Sequence, residues 1–309
     1  MNRDLRFAVL SDIHLTESGP RHPDRLAIDS VRIFEEARED AEALEPDFIF
    51  YTGDLFEARD LALPQLELAR RVLGKTRVPW FVLAGNHDAR YKSTRDGYHR
   101  EDFIRAFEGH GPTRGRAYWS HDLADSPFAF VGLDSSREFT SCGGVGPEQL
   151  AWLRSELKRF AGRQVIILMH HPAVVFDQVL RSHPELAVYY LENHEEVRDV
   201  LVENRCVKLA ISGHNHTRRH EEIEGLHFVG VPSINSWPNM YASFELSEGR
   251  AAVAFHRIRD RAKVEEAYAG LVHPESPMLK AFKNPAELST YFSTAPSVGK
   301  LELRDARQI

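Results

Sequence analysis

The sequence predicts an α/β fold, and two observations in its 309 residues carry the prediction. Short apolar runs bounded by turn residues recur along the chain, and stretches with helical spacing of apolar residues separate them. The runs are continuously apolar rather than alternating, as expected of strands covered on both faces.

The first run is 7–10, followed by a helical pattern over 24–44 with Ile28, Val31, Phe34 and Ala41 on its apolar side. Run 48–51 precedes a helix over 63–73, and run 80–84 follows it. The alternation resumes with run 128–133, a helix over 147–160, run 165–169, a helix over 194–203 and run 207–211. Beyond Glu221 the pattern changes to close-set strand-like pieces at 226–231, 241–246 and 251–258. Gly225, Pro232, Pro238 and the Ser247-Glu248-Gly249 turn separate them, which predicts an antiparallel meander closing the sheet. No internal repeat or composition break interrupts this order. The expected organisation is one domain over 1–259 and a C-terminal extension over 260–309 that packs on the core or contributes to a homo-oligomer.

Composition narrows the function. With 42% hydrophobic and 28% charged residues the chain is neither disordered nor collagen-like. A formal charge of -7 weighs against a generally basic nucleic-acid binder. Apolar runs fall far short of the roughly 18 residues of a membrane span, and the N-terminus enters its first strand without an export signal. Cys142 and Cys206 are too few for a disulfide framework or a four-cysteine zinc cage, so a cytoplasmic protein is expected.

Histidine is the anomaly. Of 16, several stand where apolar runs end, in the clusters Asp12-Ile13-His14, Gly85-Asn86-His87-Asp88, His170-His171 and Gly213-His214-Asn215-His216; Gly53-Asp54 ends another run. Singly, each is an ordinary polar turn. Together they offer imidazole, carboxylate and amide donors without thiolate, a set suited to hard and borderline first-row cations. In an α/β sheet the carboxyl ends of strands share an edge where ligands bind, so the clusters should converge. Period two in an extended chain would send both side chains of Asp12-x-His14, and of His214-x-His216, to one side.

In these motifs the chain resembles the calcineurin-like metallophosphoesterase superfamily, whose pattern is D-x-H, G-D, G-N-H-D/E, H and G-H-x-H. Every element is present in order, over about residues 5 to 258. The wording around Gly85-Asn86-His87-Asp88-Ala89-Arg90, with Leu133-Asp134-Ser135 further on, looks most like the bacterial cyclic-nucleotide phosphodiesterase branch. The resemblance implies a four-layer α/β/β/α sandwich with mixed central sheets and a dinuclear metal centre. Asp12, His14 and His216 would hold one ion, Asn86, His170 and His214 the other, and Asp54 would bridge them. Manganese or iron is expected, with zinc and cobalt open. Of the neighbours His170 and His171, which should point to opposite faces, the pattern makes His170 the ligand; His171 is a candidate for supporting the site or touching substrate.

The implied activity is metal-dependent phosphodiester hydrolysis, of cyclic nucleotides or other small phosphodiesters, by a hydroxide bridging the metals. His87 would donate to the phosphoryl or leaving oxygen, with Asp88 fixing its orientation. A nuclease or a phosphomonoesterase of the same superfamily is the alternative. A non-enzymatic metal-binding interaction module is disfavoured because no ligand position is lost. Purple acid phosphatases resemble D-x-G at the first element and carry tyrosine three residues after the second aspartate; His14 and Glu57 stand there instead. The basic cluster Arg90, Lys92, Arg95, His99 and Arg100 nominates Arg90 as a phosphate contact. The loop over 172–190, with Phe176, His183, Tyr189 and Tyr190, is a candidate lid, and Asn235, Ser236 and Trp237 follow a strand expected beside the site.

Overall fold

The computed structural model describes residues 4–17, 24–124, 126–177, 180–181, 184–247, 249–282, 284–293 and 299–303. Strands β1 (Leu5–Leu10), β2 (Phe48–Thr52) and β3 (Trp80–Leu83) run parallel in one sheet. Strands β4 (Trp119–Asp122), β5 (Phe128–Gly132), β6 (Gln164–Met169), β7 (Val207–Ser212), β8 (Arg219–Ile223) and β9 (Leu226–Gly230) make a second sheet in the order β4-β5-β6-β7-β9-β8. Its four central strands are parallel, and β4 and β8 are antiparallel edges. The chain then returns to the first sheet with β10 (Met240–Ser247), β11 (Arg250–Arg257) and β12 (Lys300–Glu302), giving the order β12-β11-β10-β1-β2-β3.

Both faces of each sheet are buried, which is why the strands read as continuously apolar. On β1 the two-residue period sends Phe7 and Val9 between the sheets and Ala8 and Leu10 under the helices. Between the sheets Phe7 meets Phe130 edge-on at 5.3 Å between ring centroids and stacks on Phe244 at 4.8 Å. Helices α1 (Ser30–Glu42), α2 (Ala62–Leu73) and α3 (Arg100–Ala106) cover the outer face of the first sheet; α4 (Pro147–Arg159) and α5 (His194–Glu203) cover that of the second. The expected four-layer α/β/β/α sandwich with mixed sheets is therefore observed.

Helix α6 (Arg261–Leu271) joins the first helical layer through Val264 and Ala267. Helices α7 (Pro277–Phe282) and α8 (Pro285–Ser293) form a small core of their own, where Phe282, Leu288 and Tyr291 pack with Val175, Leu180 and Leu186. Among the described residues, no helix is long and apolar enough to cross a membrane.

Two sequence expectations are corrected. The predicted meander is divided between the sheets: β9 lies beside β7, whereas β10 and β11 form a hairpin beside β1. The Pro232-to-Pro238 segment carries the chain from one sheet to the other. Ile28 is 68% exposed, because residues 27–29 form a 3-10 turn before α1 and fall out of its 3.6-residue phase. The sequence reading also passed over β4, β8 and β12. They are short, and β8 reads Arg-His-Glu-Glu-Ile, the charged composition that protects a sheet edge.

Candidate metal centre

The carboxyl ends of β1, β2, β6 and β7 meet at one edge of the sandwich, and backbone hydrogen bonds lace the loops together. Asp12 N donates to Gly53 O at 3.1 Å, His14 N to Asp54 O at 2.8 Å and Gly213 N to His170 O at 3.0 Å. Asp12, His14, Asp54, His214 and His216 all have positive φ, between 48° and 67°. This left-handed conformation is costly for residues with a Cβ, and such strain gathers at functional sites. It also corrects the expected geometry: Asp12 and His14, like His214 and His216, share a side because each chain turns in left-handed steps after its strand, not because it stays extended. Gly53, at φ +93°, lets the imidazole of His170 pass where a Cβ would lie 2.5 Å from its Nδ1.

These turns converge the predicted donors. Asp12 Oδ1 lies 3.2 Å from His216 Nε2, and His14 Nε2 lies 3.5 Å from His216 Nε2 and 3.7 Å from Asp54 Oδ2. On the other side His170 Nε2 lies 3.3 Å from Asp54 Oδ1 and 3.2 Å from Asn86 Oδ1. Neighbouring ligands about 2.0–2.2 Å from a common ion are separated by roughly 3–3.5 Å, so these spacings fit first-row cations. Asp54 faces both groups with one oxygen each, an arrangement in which a carboxylate can bridge two ions. The ring of His214 lies 5.0 Å from that of His170.

The second nitrogen of several rings is spoken for, which fixes the nitrogen turned to the centre. His170 Nδ1 donates to Thr52 O at 2.8 Å, leaving Nε2 inward. His214 Nε2 donates to Val188 O at 2.8 Å, leaving Nδ1. Burial lowers His14 to about 4, helped by the Arg25 cation, and lowers His214 to about 3, helped by His170. Both are thus neutral near pH 7, the form that offers a lone pair. Burial would lower His170 too, but Asp54 and Asp12 raise it to about 9. Burial raises Asp54, yet His170, His87 and His14 hold it well below the ordinary carboxylate range.

The surroundings of His87 differ from expectation. Asp88 does not hold its ring: Asp88 Oδ1 accepts from the amides of Leu55 and Phe56 at 2.8 and 3.0 Å, and Oδ2 from Gly85 N at 2.8 Å. Asp88 therefore ties the second and third motif loops together. Glu57 takes the orienting role, accepting from His87 Nδ1 at 2.7 Å through Oε2 and from His14 Nδ1 at 3.1 Å through Oε1. Arg25 binds the same carboxylate at 2.5 Å, and its other terminal nitrogen lies 3.2 Å from His87 Nε2.

Arg90, the expected phosphate contact, turns away to His99 Nδ1 at 3.1 Å and lies over Phe139, while Arg95 and Arg100 pair with Asp60 and Asp134. Arg90, Arg95 and Arg100 are thus held by local partners, while Arg25 and Arg59 stand beside Glu57 at the centre. His171 is fully buried, with Nδ1 2.9 Å from Ser135 Oγ and Nε2 3.2 Å from Ser141 O. Its ring packs against those of His170 and His214, at 4.9 and 4.2 Å between centroids. The one signal for Glu57 was its place three residues beyond Asp54; Arg25 follows no motif.

Residues 5–218 match the calcineurin-like phosphoesterase family. The chain belongs to that family. As a member of it, the chain is 27% identical over 172 residues to a probable glycerophosphodiester phosphodiesterase of Arcobacter nitrofigilis, covering 56% of this chain and 57% of that protein. A probable cyclic nucleotide phosphodiesterase of Moraxella catarrhalis is 27% identical over 222 residues, covering 70% of this chain and 72% of that protein. The solved structure of a dimetal phosphatase from Danio rerio has the same fold, with a TM-score of 0.65 at 17% identity over 81% of this chain and 95% of that one.

In this phosphoesterase the centre opens into a chamber of about 200 Å³, lined by Arg25, Asp54, Asn86, His87, His214 and His216. Val188, Tyr189, Ser236 and Trp237 wall it, together with Leu271, Met278 and Phe292 from beyond the family match. Of the expected lid, Tyr189 reaches the chamber and Phe176 packs in the core of the second helical layer. His183 lies outside the described residues. Ser236 and Trp237 reach the site and Asn235 lies buried behind them.

Proposed function

We propose that the protein is a dinuclear metal-dependent phosphodiesterase acting on small phosphodiesters, cyclic nucleotides among them. One observation carries the reading: imidazole, carboxylate and amide donors from five separate loops meet at the spacing of ligands around two cations, with Asp54 between. Asp12, His14 and His216 would hold one ion, Asn86, His170 and His214 the other. The thiolate-free set supports manganese or iron. When bound, such a pair supplies a water activated for attack and neutralises charge on the phosphoryl group.

The chain's own residues do the rest. Glu57 keeps Nε2 of His87 turned to the chamber, from where it can give a proton to the leaving oxygen. Arg25 offers its guanidinium to a non-bridging phosphoryl oxygen, a role its fixed, always-charged fork suits. Asp88 holds Asp54 and Asn86 in register through the backbone. The small, walled chamber favours a small diester over a nucleic-acid duplex, and the names of the relatives point the same way. With only Cys142 and Cys206 the chain has too few thiols for a disulfide framework, which supports a reducing compartment, the cytoplasm.

The test is turnover of bis(p-nitrophenyl) phosphate by purified protein supplied with manganese, with metal counted by mass spectrometry. Metal-dependent turnover abolished by Asp54→Ala supports the reading; no turnover with any first-row cation refutes it. Parallel assays on 2′,3′-cyclic AMP, a glycerophosphodiester, a phosphomonoester and single-stranded DNA then rank the substrates.

A further inference from the structure

The catalytic chamber adjoins a second cavity. A groove of about 440 Å³ runs between α6 and α8, lined by Trp237, Tyr268, Leu271, Val272, Leu288 and Phe292, with Glu265 at its rim. Three of these side chains, Trp237, Leu271 and Phe292, also wall the chamber, so the two spaces lie directly against one another. The groove is built by helical spacing: Glu265, Tyr268 and Val272 lie along one face of α6 and its C-terminal end, and Leu288 and Phe292 one turn apart on α8. Tyr268 and Val272 are among the few large apolar side chains left exposed among the described residues, at 45% and 38%. An exposed apolar patch bordering an active site is a binding surface more often than a chance.

We propose that this groove binds the nucleobase of a nucleotide substrate whose phosphodiester sits at the metal centre. The proposal rests on the phosphodiesterase reading and names its substrate class. Three features select a flat aromatic ring. The walls are aromatic, with Trp237 and Tyr268 in tilted contact at 4.9 Å between centroids and an interplanar angle of 59°, so that both present ring surface to the groove. Arg257 already lies over Trp237, 5.2 Å from its centroid, so a cationic headgroup would meet a like charge there. The carboxylate at the rim is an acceptor for the amino or imino hydrogens of a base edge. Volume agrees: the chamber takes little more than a phosphate and its immediate substituents, and chamber and groove together reach the range of roughly 300–1,000 Å³ typical of small-molecule sites. The walls come from 237–292, outside the residues matched by the family, so this specificity belongs to this chain's C-terminal part.

The experiment compares wild type with Tyr268→Ala and Leu288→Ala, which line the groove without reaching the chamber. The readout is the ratio of kcat/KM for 2′,3′-cyclic AMP to that for glycerophosphoethanolamine, a diester without a ring. Loss of one stacking surface should lower that ratio roughly tenfold in Tyr268→Ala, mainly through KM, and less in Leu288→Ala. A second measurement needs no turnover: adenosine titrated into the metal-free protein should quench tryptophan fluorescence, and Tyr268→Ala should weaken that binding by a similar factor. An unchanged ratio, or adenosine binding indifferent to Tyr268, overturns the proposal. So does a preference for long acyl groups over nucleosides, which would make the groove a lipid site. If wild type hydrolyses no diester, the phosphodiesterase reading falls, while the adenosine titration still decides what the groove binds.

Discussion

Replacing Glu57 by glutamine keeps shape and removes charge, and the structure states what that disturbs. Three donors converge on two carboxylate oxygens: Arg25 at 2.5 Å and His14 at 3.1 Å on one, His87 at 2.7 Å on the other. An amide has one acceptor oxygen. Whichever way it is turned, its NH2 group faces at least one imidazole N–H that loses its partner. Charge-assisted hydrogen bonds are worth about 1.5–3 kcal/mol each, and Glu57 keeps 21% of its side chain exposed, so the lower end applies. Turned with its oxygen to Arg25 and His14, the amide gives up the His87 bond alone, which predicts about 1.5 kcal/mol of destabilisation in the metal-free protein, or a Tm lowered by roughly 3 °C for a chain of this size. Loss of the carboxylate's charge also weakens the bond that fixes the His14 ring, so manganese affinity at the site of Asp12, His14 and His216 should fall about tenfold. Calorimetric melting and manganese titration measure the two effects separately. A Tm within about a degree of wild type, together with unaltered affinity at both sites, would show that the carboxylate neither steadies the fold nor aims the rings.

Other perturbations test the remaining parts. His87→Ala should keep both metals yet lose about 10²–10⁴ in kcat, with a larger loss for an alkoxide leaving group than for p-nitrophenolate, which departs without a proton; equal losses for the two would remove the acid role. Gly85→Ala puts a Cβ into the carboxylate and backbone of Asp54 at an ordinary φ, so metal content per chain should fall, whereas Gly146→Ala, where a Cβ meets nothing within 4 Å, should leave it intact. In the metal-free protein His170 is raised to about 9 from 6.5, so its contribution is complete below pH 6.5 and is lost as pH rises through 9. Melting curves from pH 6 to 10 should show that decline, on the order of a few kcal/mol, and His170→Asn should flatten it.

Much of this was legible in the sequence because strand burial and ligand placement are local signals. Apolar runs marked the strands, and what followed each run marked the centre. The left-handed steps at Asp12, His14, His214 and His216 were not legible, because only the closing of one loop on another makes them worthwhile. Partner choice was misread for the same reason. Asp88 and Arg90 are neighbours of His87 in sequence, but Asp88 is drawn to three backbone amides and Arg90 to His99. Glu57 and Arg25 reach His87 across the fold, from loops 30 and 62 residues away. The division of the predicted meander between two sheets likewise depends on β10 finding β1, a pairing across more than two hundred residues.

The pairing of β12 with β11 places both ends of the C-terminal helical stretch on a single strand: the chain leaves β11 at Arg257 and comes back beside Ala252. The helices between are thus a handle stitched at both ends to one edge of the sandwich, while their middle hangs over the reaction chamber. Such a handle can be lengthened, shortened or exchanged without unravelling the sheet. Grafting the corresponding stretch from another member onto this edge would be a direct way to redirect an unchanged metal-and-histidine apparatus toward different chemistry of the substrate's far end.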